Sequence, residues 1–223
     1  MRYPPLVPVP GEVLPLYMVP AGRRPNTDRL YPLRPHPEQR RPVESKARFK
    51  VVPAGRRSGK TERAKRQLIA AVYQAAIDGE WPDPRFFAAA PTRDQAKAIY
   101  WNDLKAMVPR QLLAERPRET ELMIKFVTGA ELCVVGMDKP ERIEGRPWNG
   151  GILDEFANMK PGAWGENVRP ALSDRKGWCW LIGVPEGRNH YYDIAKMAGS
   201  GEDPDWDLFT WPSSDILDPE EIA

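Results

Sequence analysis

Three observations predict an α/β protein with a mainly parallel central sheet flanked by helices. From Arg48 onward, short β-rich apolar runs alternate with longer segments whose apolar residues recur every three to four positions. The runs are apolar almost throughout, as strands covered on both faces are. A glycine-bearing turn joins the first run to the first helical segment. A Pro-rich N-terminal arm precedes this pattern: 12 of the 25 prolines fall in residues 1–53. Proline at that density removes donors and fixes φ, so the arm is expected to be extended or loop-like, either disordered or, as its interleaved Leu, Val and Tyr suggest, draped in part over the folded body. The expected division is an arm over 1–30, a domain over 31–212 and the start of a linker over 213–223.

The elements follow in order. RFKVVPA is a short strand running into the glycine turn. TERAKRQLIAAVYQAAIDG is a helix, with Leu68, Val72 and Ala76 as its apolar stripe and Gly79 as its stop. RFFAAAP is a second strand. TRDQAKAIYWNDLKAMV is a helix capped by Thr92, with Ala96, Ile99, Tyr100, Leu104 and Met107 on one face. ELMIKFVTGAELCVVG predicts a hairpin turning at Thr128-Gly129, and GGILDEFA a buried strand that ends in two acids. WCWLIGVP is a further strand, NHYYDIAKMA a helix and WDLFTW a last strand, after which DPEEIA opens another helix.

Composition narrows the function classes. With 33 Lys and Arg against 31 Asp and Glu, the net charge is only +2, so any nucleic-acid contact must rest on local patches. Cys133 and Cys179 are isolated in apolar segments and read as buried small hydrophobes, and two histidines are too few for a His/Cys metal set. No run approaches 18 apolar residues and no signal pattern opens the chain, which predicts a soluble protein of a reducing cytoplasm with no membrane partner. Trp148, Trp164, Trp178 and Trp180 read as packing residues, His190 as a structural histidine, and the run Arg63–Arg66 as a solvated helix face, with DNA phosphate its other possible partner.

The chemistry lies in AGRRSGKT, Ala54 to Thr61, which fits [AG]-x-x-x-x-G-K-[ST] between a strand and a helix. Small residues let backbone N–H groups turn inward around phosphate oxygens, and the helix presents its positive end to them. Ala54, Gly55, Arg56, Arg57, Ser58 and Gly59 would form that cradle. Lys60 would reach the β- and γ-phosphates, and the Thr61 hydroxyl would ligate Mg²⁺. Such a loop needs a carboxylate at a second strand tip to hold the cation through water, and Asp154 fits; the adjacent Glu155 would polarise the attacking water. Of the two loop arginines, one would stabilise charge on the γ-phosphoryl group and the other would steer the anion.

At these motifs the chain resembles the ATPase domain of the large terminase subunit of tailed bacteriophages. The likeness spans about Tyr31 to Glu221. LRPHPEQ is similar to the family's adenine-side segment, with Gln39 as base reader, and ARFKVVPAGRRSGKT to its arginine-containing P-loop, with Arg56 at the family's arginine position. AAAPTRDQAKAIYWNDLKAMVP, VVGMDKPERIEGRPWNGGILDEFA and WLIGVPEGRNHYYDI resemble the segment after the second strand, the approach to the acids and the coupling segment.

The resemblance implies a P-loop NTPase of the additional-strand type that hydrolyses ATP with Mg²⁺. Its partners would be double-stranded DNA, the procapsid portal protein, the small terminase subunit and copies of itself in a ring, a pentamer on the portal, within the host cytoplasm. Two departures stand out. Glu144 occupies the position at which many members carry a finger arginine for the neighbouring subunit, leaving Arg142 or Arg146 to supply it, and Val184 replaces a coupling threonine. The family's nuclease acids have no counterpart here, so no DNA cleavage is expected from this chain.

Overall fold

A computed structural model describes residues 37–215. The Pro-rich arm at 1–30 and the helix expected at DPEEIA lie outside the described residues. Helix α1 (Pro37–Glu44) leads into strand β1 (Phe49–Pro53), then α2 (Lys60–Asp78) and β2 (Arg85–Ala90). A long helical segment follows as α3 (Arg93–Ala96), a π turn over Lys97–Trp101 and α4 (Asn102–Met107). Strands β3 (Met123–Lys125), β4 (Glu131–Gly136), β5 (Gly150–Leu153) and β6 (Trp178–Gly183) come next, with the short α5 (Arg169–Ala171) before β6. Helix α6 (His190–Ala198) and β7 (Trp206–Leu208) complete the order.

The seven strands form one sheet in the order β3-β4-β2-β5-β6-β1-β7. Every pairing is parallel except β3 with β4, the predicted hairpin. Strand β6 separates β1 from β5, which makes it the additional strand of the expected fold. Side chains alternate between two cores, one on each face. Phe86, Ala88, Val52, Trp180 and Ile182 pack against α2 and the 93–107 helix. Phe87, Ala89, Val51, Leu181 and Cys179 face the other way, under α6 and the tryptophans Trp148, Trp164 and Trp206. The near-continuous apolar runs in the sequence are the signature of this double burial.

Local signals hold where caps and glycines set them. Thr92 accepts the Gln95 N–H in a full capping box, and Gly79, at φ 62°, closes α2. Strand β5 carries two glycines for a different reason. A Cβ on Gly150 would fall inside the Trp178 indole, and one on Gly151 inside the Phe87 ring. Both cysteines are buried, as the sequence predicts.

Two expectations are corrected. Ala76 is exposed, because the last turn of α2 runs past the sheet, and the buried stripe is Ala64, Leu68 and Val72 with Lys65 and Ile69 beside it. The run Arg63–Arg66 is not a solvated face. Lys65 is 5 % exposed, with Nζ 2.7 Å from Glu62 and 2.7 Å from Asp103, and the Arg66 side chain, 12 % exposed, lies 3.0 Å from Glu62. Lys65 and Arg66 are spent on carboxylates of α2 and α4, where the two helices pack. Among the described residues no helix is long and apolar enough to cross a membrane.

Candidate active site

Parallel strands deliver their C-terminal ends to one rim, and the loops leaving that rim build a cleft. Residues after β1, β2, β5 and β6 meet there: Arg56, Arg57, Lys60 and Thr61; Pro91 and Gln95; Glu155 and Asn158; Val184 and Glu186. The cleft holds about 480 Å³. A second hollow of similar volume, lined by Arg110, Arg116, Glu115 and Glu119, lies away from these groups.

The loop after β1 is held from behind. Gln39 on α1 donates its amide N–H₂ to the Ser58 carbonyl at 3.0 Å, and Trp211 donates its indole N–H to the same oxygen at 3.3 Å. The chain after β7 lies along the loop as a strap. Gly55 N–H donates to Trp211 O at 3.1 Å, Ser213 Oγ to Arg56 O at 2.7 Å, and Thr210 Oγ1 to Pro53 O at 2.8 Å. Gly59 must be glycine: its φ is +74°, and a Cβ there would lie 2.5 Å from Gln39 Nε2. Arg57, at φ 55°, takes a left-handed conformation with a full side chain, a strain of order 1–3 kcal/mol that functional loops tolerate. Arg56 and Arg57 are exposed, Ala54 and Ser58 are buried, and the Lys60 ammonium sits 3.4 Å from the Gly55 carbonyl.

The two predicted halves come together. Thr61, on the first turn of α2, donates its hydroxyl to Asp154 Oδ2 at 2.9 Å across 93 residues of sequence. Asp154 is 1 % exposed and also receives the Glu155 N–H on Oδ1 at 2.9 Å. A third donor was not foreseen: the buried Tyr100 hydroxyl reaches Asp154 Oδ2 at 2.9 Å. Sequence reasoning placed Tyr100 on an apolar face. The available signal was its phenol, which seeks a partner when buried.

Burial pushes the Asp154 carboxyl above its ordinary range, opposed by the hydroxyls of Thr61 and Tyr100, the Glu155 N–H and the Lys60 charge. Burial, then the Asp154 charge, likewise raises Glu155, while Lys60 and Arg56 pull it down. Glu155 is half-buried and, at φ 52°, stands in the left-handed region, which turns its carboxylate into the cleft beside Lys60. Thr61 and Asp154 offer hard oxygen donors at one point of the rim, a set that suits Mg²⁺, a cation that keeps several of its waters.

Other predicted residues lie elsewhere. Arg142 follows β4 and faces Asp138 at 3.7 Å, while Arg146 reaches Glu131 at 3.5 Å, at the opposite rim of the sheet from the cleft. Neither lines the cleft of its own chain. His190 bonds the Phe156 carbonyl at 3.0 Å through Nε2, a structural role, and Asn189 caps α6 through the Tyr191 and Tyr192 N–H groups.

No family model matches the chain. It is 28 % identical over 186 residues to proteins called "Terminase, large subunit" in Thermus phage G20c and Thermus virus P23-45, a match covering 75 % of this chain and 37 % of each relative. It thus spans little more than a third of the length of those curated relatives. The large terminase ATPase domain of Thermus phage P74-26 superposes with a TM-score of 0.66 at 26 % identity, over 79 % of this chain and 80 % of that one. The HK97 bacteriophage large terminase shares the fold, with a TM-score of 0.64 at 16 % identity over 84 % of this chain and 41 % of that one. By sequence the relatives of this chain are terminase large subunits, and by fold its neighbours are ATPase domains of phage large terminases, over most of its length.

Proposed function

We propose that this chain is the ATP-hydrolysing motor domain of a viral large terminase, coupling hydrolysis to the movement of double-stranded DNA into a procapsid. One observation carries the reading: Thr61 at the loop helix and Asp154 at the tip of β5 meet at 2.9 Å, with Glu155 and Lys60 on the same cleft wall. The names of the relatives support it, as do structures of the large terminase of a thermophilic bacteriophage in complex with ADP and with ATP-gamma-S, whose fold this chain shares at TM-scores of 0.59 and 0.58.

In this reading the backbone of Gly55 to Gly59 wraps the β-phosphate, and Lys60 and Arg56 neutralise the γ-phosphoryl oxygens. Thr61 and, through water, Asp154 would hold Mg²⁺, which would offset phosphate charge during transfer. Glu155 accepts the proton of the attacking water as its oxygen bonds the γ-phosphorus in line, and the bond from that phosphorus to the bridging oxygen breaks to release ADP and phosphate. The raised pKa of Glu155 suits that role, since a stronger base takes the proton more readily. Arg146 or Arg142, both away from the cleft of their own chain, serves the cleft of the next subunit in a ring. Docking on the portal protein, engagement of the small subunit and work in the host cytoplasm belong to the same proposal.

Phosphate release measured over a protein concentration series tests it. Activity that rises faster than concentration supports an arginine supplied in trans, and strict proportionality refutes that part. No phosphate release in the presence of DNA and portal rings refutes the motor reading and favours a nucleotide-binding assembly protein. Release that DNA stimulates and portal rings leave unchanged favours a helicase-like ATPase.

A further inference from the structure

The reading above gives parts to Thr61, Asp154 and Glu155 but none to the hydroxyl that completes their cluster. We infer that Tyr100 is a positioning residue that fixes the Asp154 carboxylate for Mg²⁺; the inference rests on the nucleotide reading of the site. Tyr100 is fully buried, and its hydroxyl donates to Asp154 Oδ2 at 2.9 Å. Thr61 donates to the same oxygen from α2, and the Glu155 N–H holds Oδ1 at 2.9 Å. All three neighbours donate, so the group is held as an acceptor, and rotating it breaks hydrogen bonds on both oxygens. The lone pairs left over are thereby fixed in direction relative to Thr61.

The backbone is shaped to deliver this hydroxyl. Tyr100 lies in the π turn Lys97–Trp101, and such wide turns gather at functional sites. Two consecutive rings of this turn are buried, Tyr100 at 0 % and Trp101 at 1 % exposure. Trp101 is anchored by its indole N–H on Glu119 at 2.6 Å, and the Thr92 capping box fixes the segment at its other end. Another buried tyrosine, Tyr191, donates its hydroxyl to a backbone carbonyl, Leu181 O at 3.2 Å. Tyr100 instead meets the carboxylate assigned to the cation.

The test compares Tyr100→Phe with Tyr191→Phe, which removes a buried hydroxyl of the other kind. Binding of a fluorescent ATP analogue is titrated with Mg²⁺ at temperatures where circular dichroism shows each protein folded. In Tyr100→Phe the half-saturating Mg²⁺ concentration rises by about tenfold or more, the loss expected when a partner of a metal-holding carboxylate is removed. Binding of the analogue in EDTA stays unchanged, and Tyr191→Phe keeps the wild-type Mg²⁺ requirement. A Tyr100→Phe requirement within about twofold of wild type, or an equal rise in Tyr191→Phe, overturns the inference while leaving the nucleotide reading intact. Wild-type protein whose analogue binding does not respond to Mg²⁺ also overturns the inference, whereas wild-type protein that binds no analogue overturns the nucleotide reading itself.

Discussion

The two rims of the sheet carry similar residues and use them in opposite ways. At the N-terminal rim the charges answer one another. Arg175 holds Asp83 at 2.7 Å and stacks over Trp81 at 4.7 Å, and Arg85 shares Asp83 at 2.5 Å and reaches Glu131 at 3.6 Å. Asn149 ties the group to the backbone by accepting the Arg85 N–H at 2.8 Å. At the C-terminal rim Arg56, Lys60 and Glu155 line open space, two backbone positions are left-handed with full side chains, and two carboxyls sit above their usual range. Neutralising charge within the chain gives a structural rim. Leaving it to be neutralised from outside gives a binding rim.

If that contrast is right, the largest single effect comes from the open rim. Glu155→Gln should lower ATP turnover by at least about 100-fold while ATP binding persists; a variant turning over near the wild-type rate removes Glu155 from the mechanism. Arg175→Ala attacks the closed rim. It strips a buried guanidinium from Asp83, Asn149 and Trp81 and should cost about 2–3 kcal/mol in urea unfolding, with turnover per folded molecule unchanged. Equal loss of turnover would mean that the rims are not separable.

Gly55→Ala comes next. Its Cβ would lie 2.6 Å from the Ser213 backbone nitrogen, so the strap must move off the loop. Nucleotide affinity should fall, and calorimetric titration would read it. The pH profile is subtler. As the proposed base, Glu155 would work only when ionised, and its pKa is raised, so turnover should fall with decreasing pH before ordinary carboxylates protonate. Removing one charge that raises it, by Glu186→Gln, should move this acid limb to lower pH. A limb that does not move would assign it to another group.

The smallest effect concerns Lys50, which caps α1 by donating to the Pro42 and Ser45 carbonyls at 2.7 and 2.8 Å. Burial lowers its pKa from 10.5 to about 8, against the pull of Asp207. Between those values the unfolded chain keeps a proton that the folded chain has released. Stability from this group should therefore rise with pH across that window, and the penalty should be complete below it. Urea midpoints in wild type and Lys50→Met would show the slope and its loss.

What the sequence revealed follows from distance along the chain. The candidate phosphate loop is legible because its spacing, strand and helix are contiguous, and Asp154 as its proposed partner because a strand tip bearing acids is a local pattern. Thr92 and Gly79 were legible as caps for the same reason. Tyr100 was not, since only the fold brings its hydroxyl to a residue 54 positions away, and its helix face looked wholly apolar. Arg63–Arg66 misled because Asp103, which neutralises Lys65, lies on another helix. The strap at 209–213 left no local mark. Its side chains Thr210, Trp211 and Ser213 grip backbone carbonyls of β1 and the loop, and a carbonyl, which every residue carries, gives no sequence signal of the partner it will take.

The paired glycines of β5 restrict how this protein can change over generations. Gly150 leaves room for the Trp178 indole on one side of the sheet, and Gly151 for the Phe87 ring on the other. Neither glycine can drift alone, because any side chain at 151 requires a smaller one at 87, and the same holds for 150 with 178. These positions should therefore vary in couples across descendants or not at all. The strand that ends in Asp154 and Glu155 is in that sense locked to its neighbours by side-chain fit as well as by hydrogen bonds.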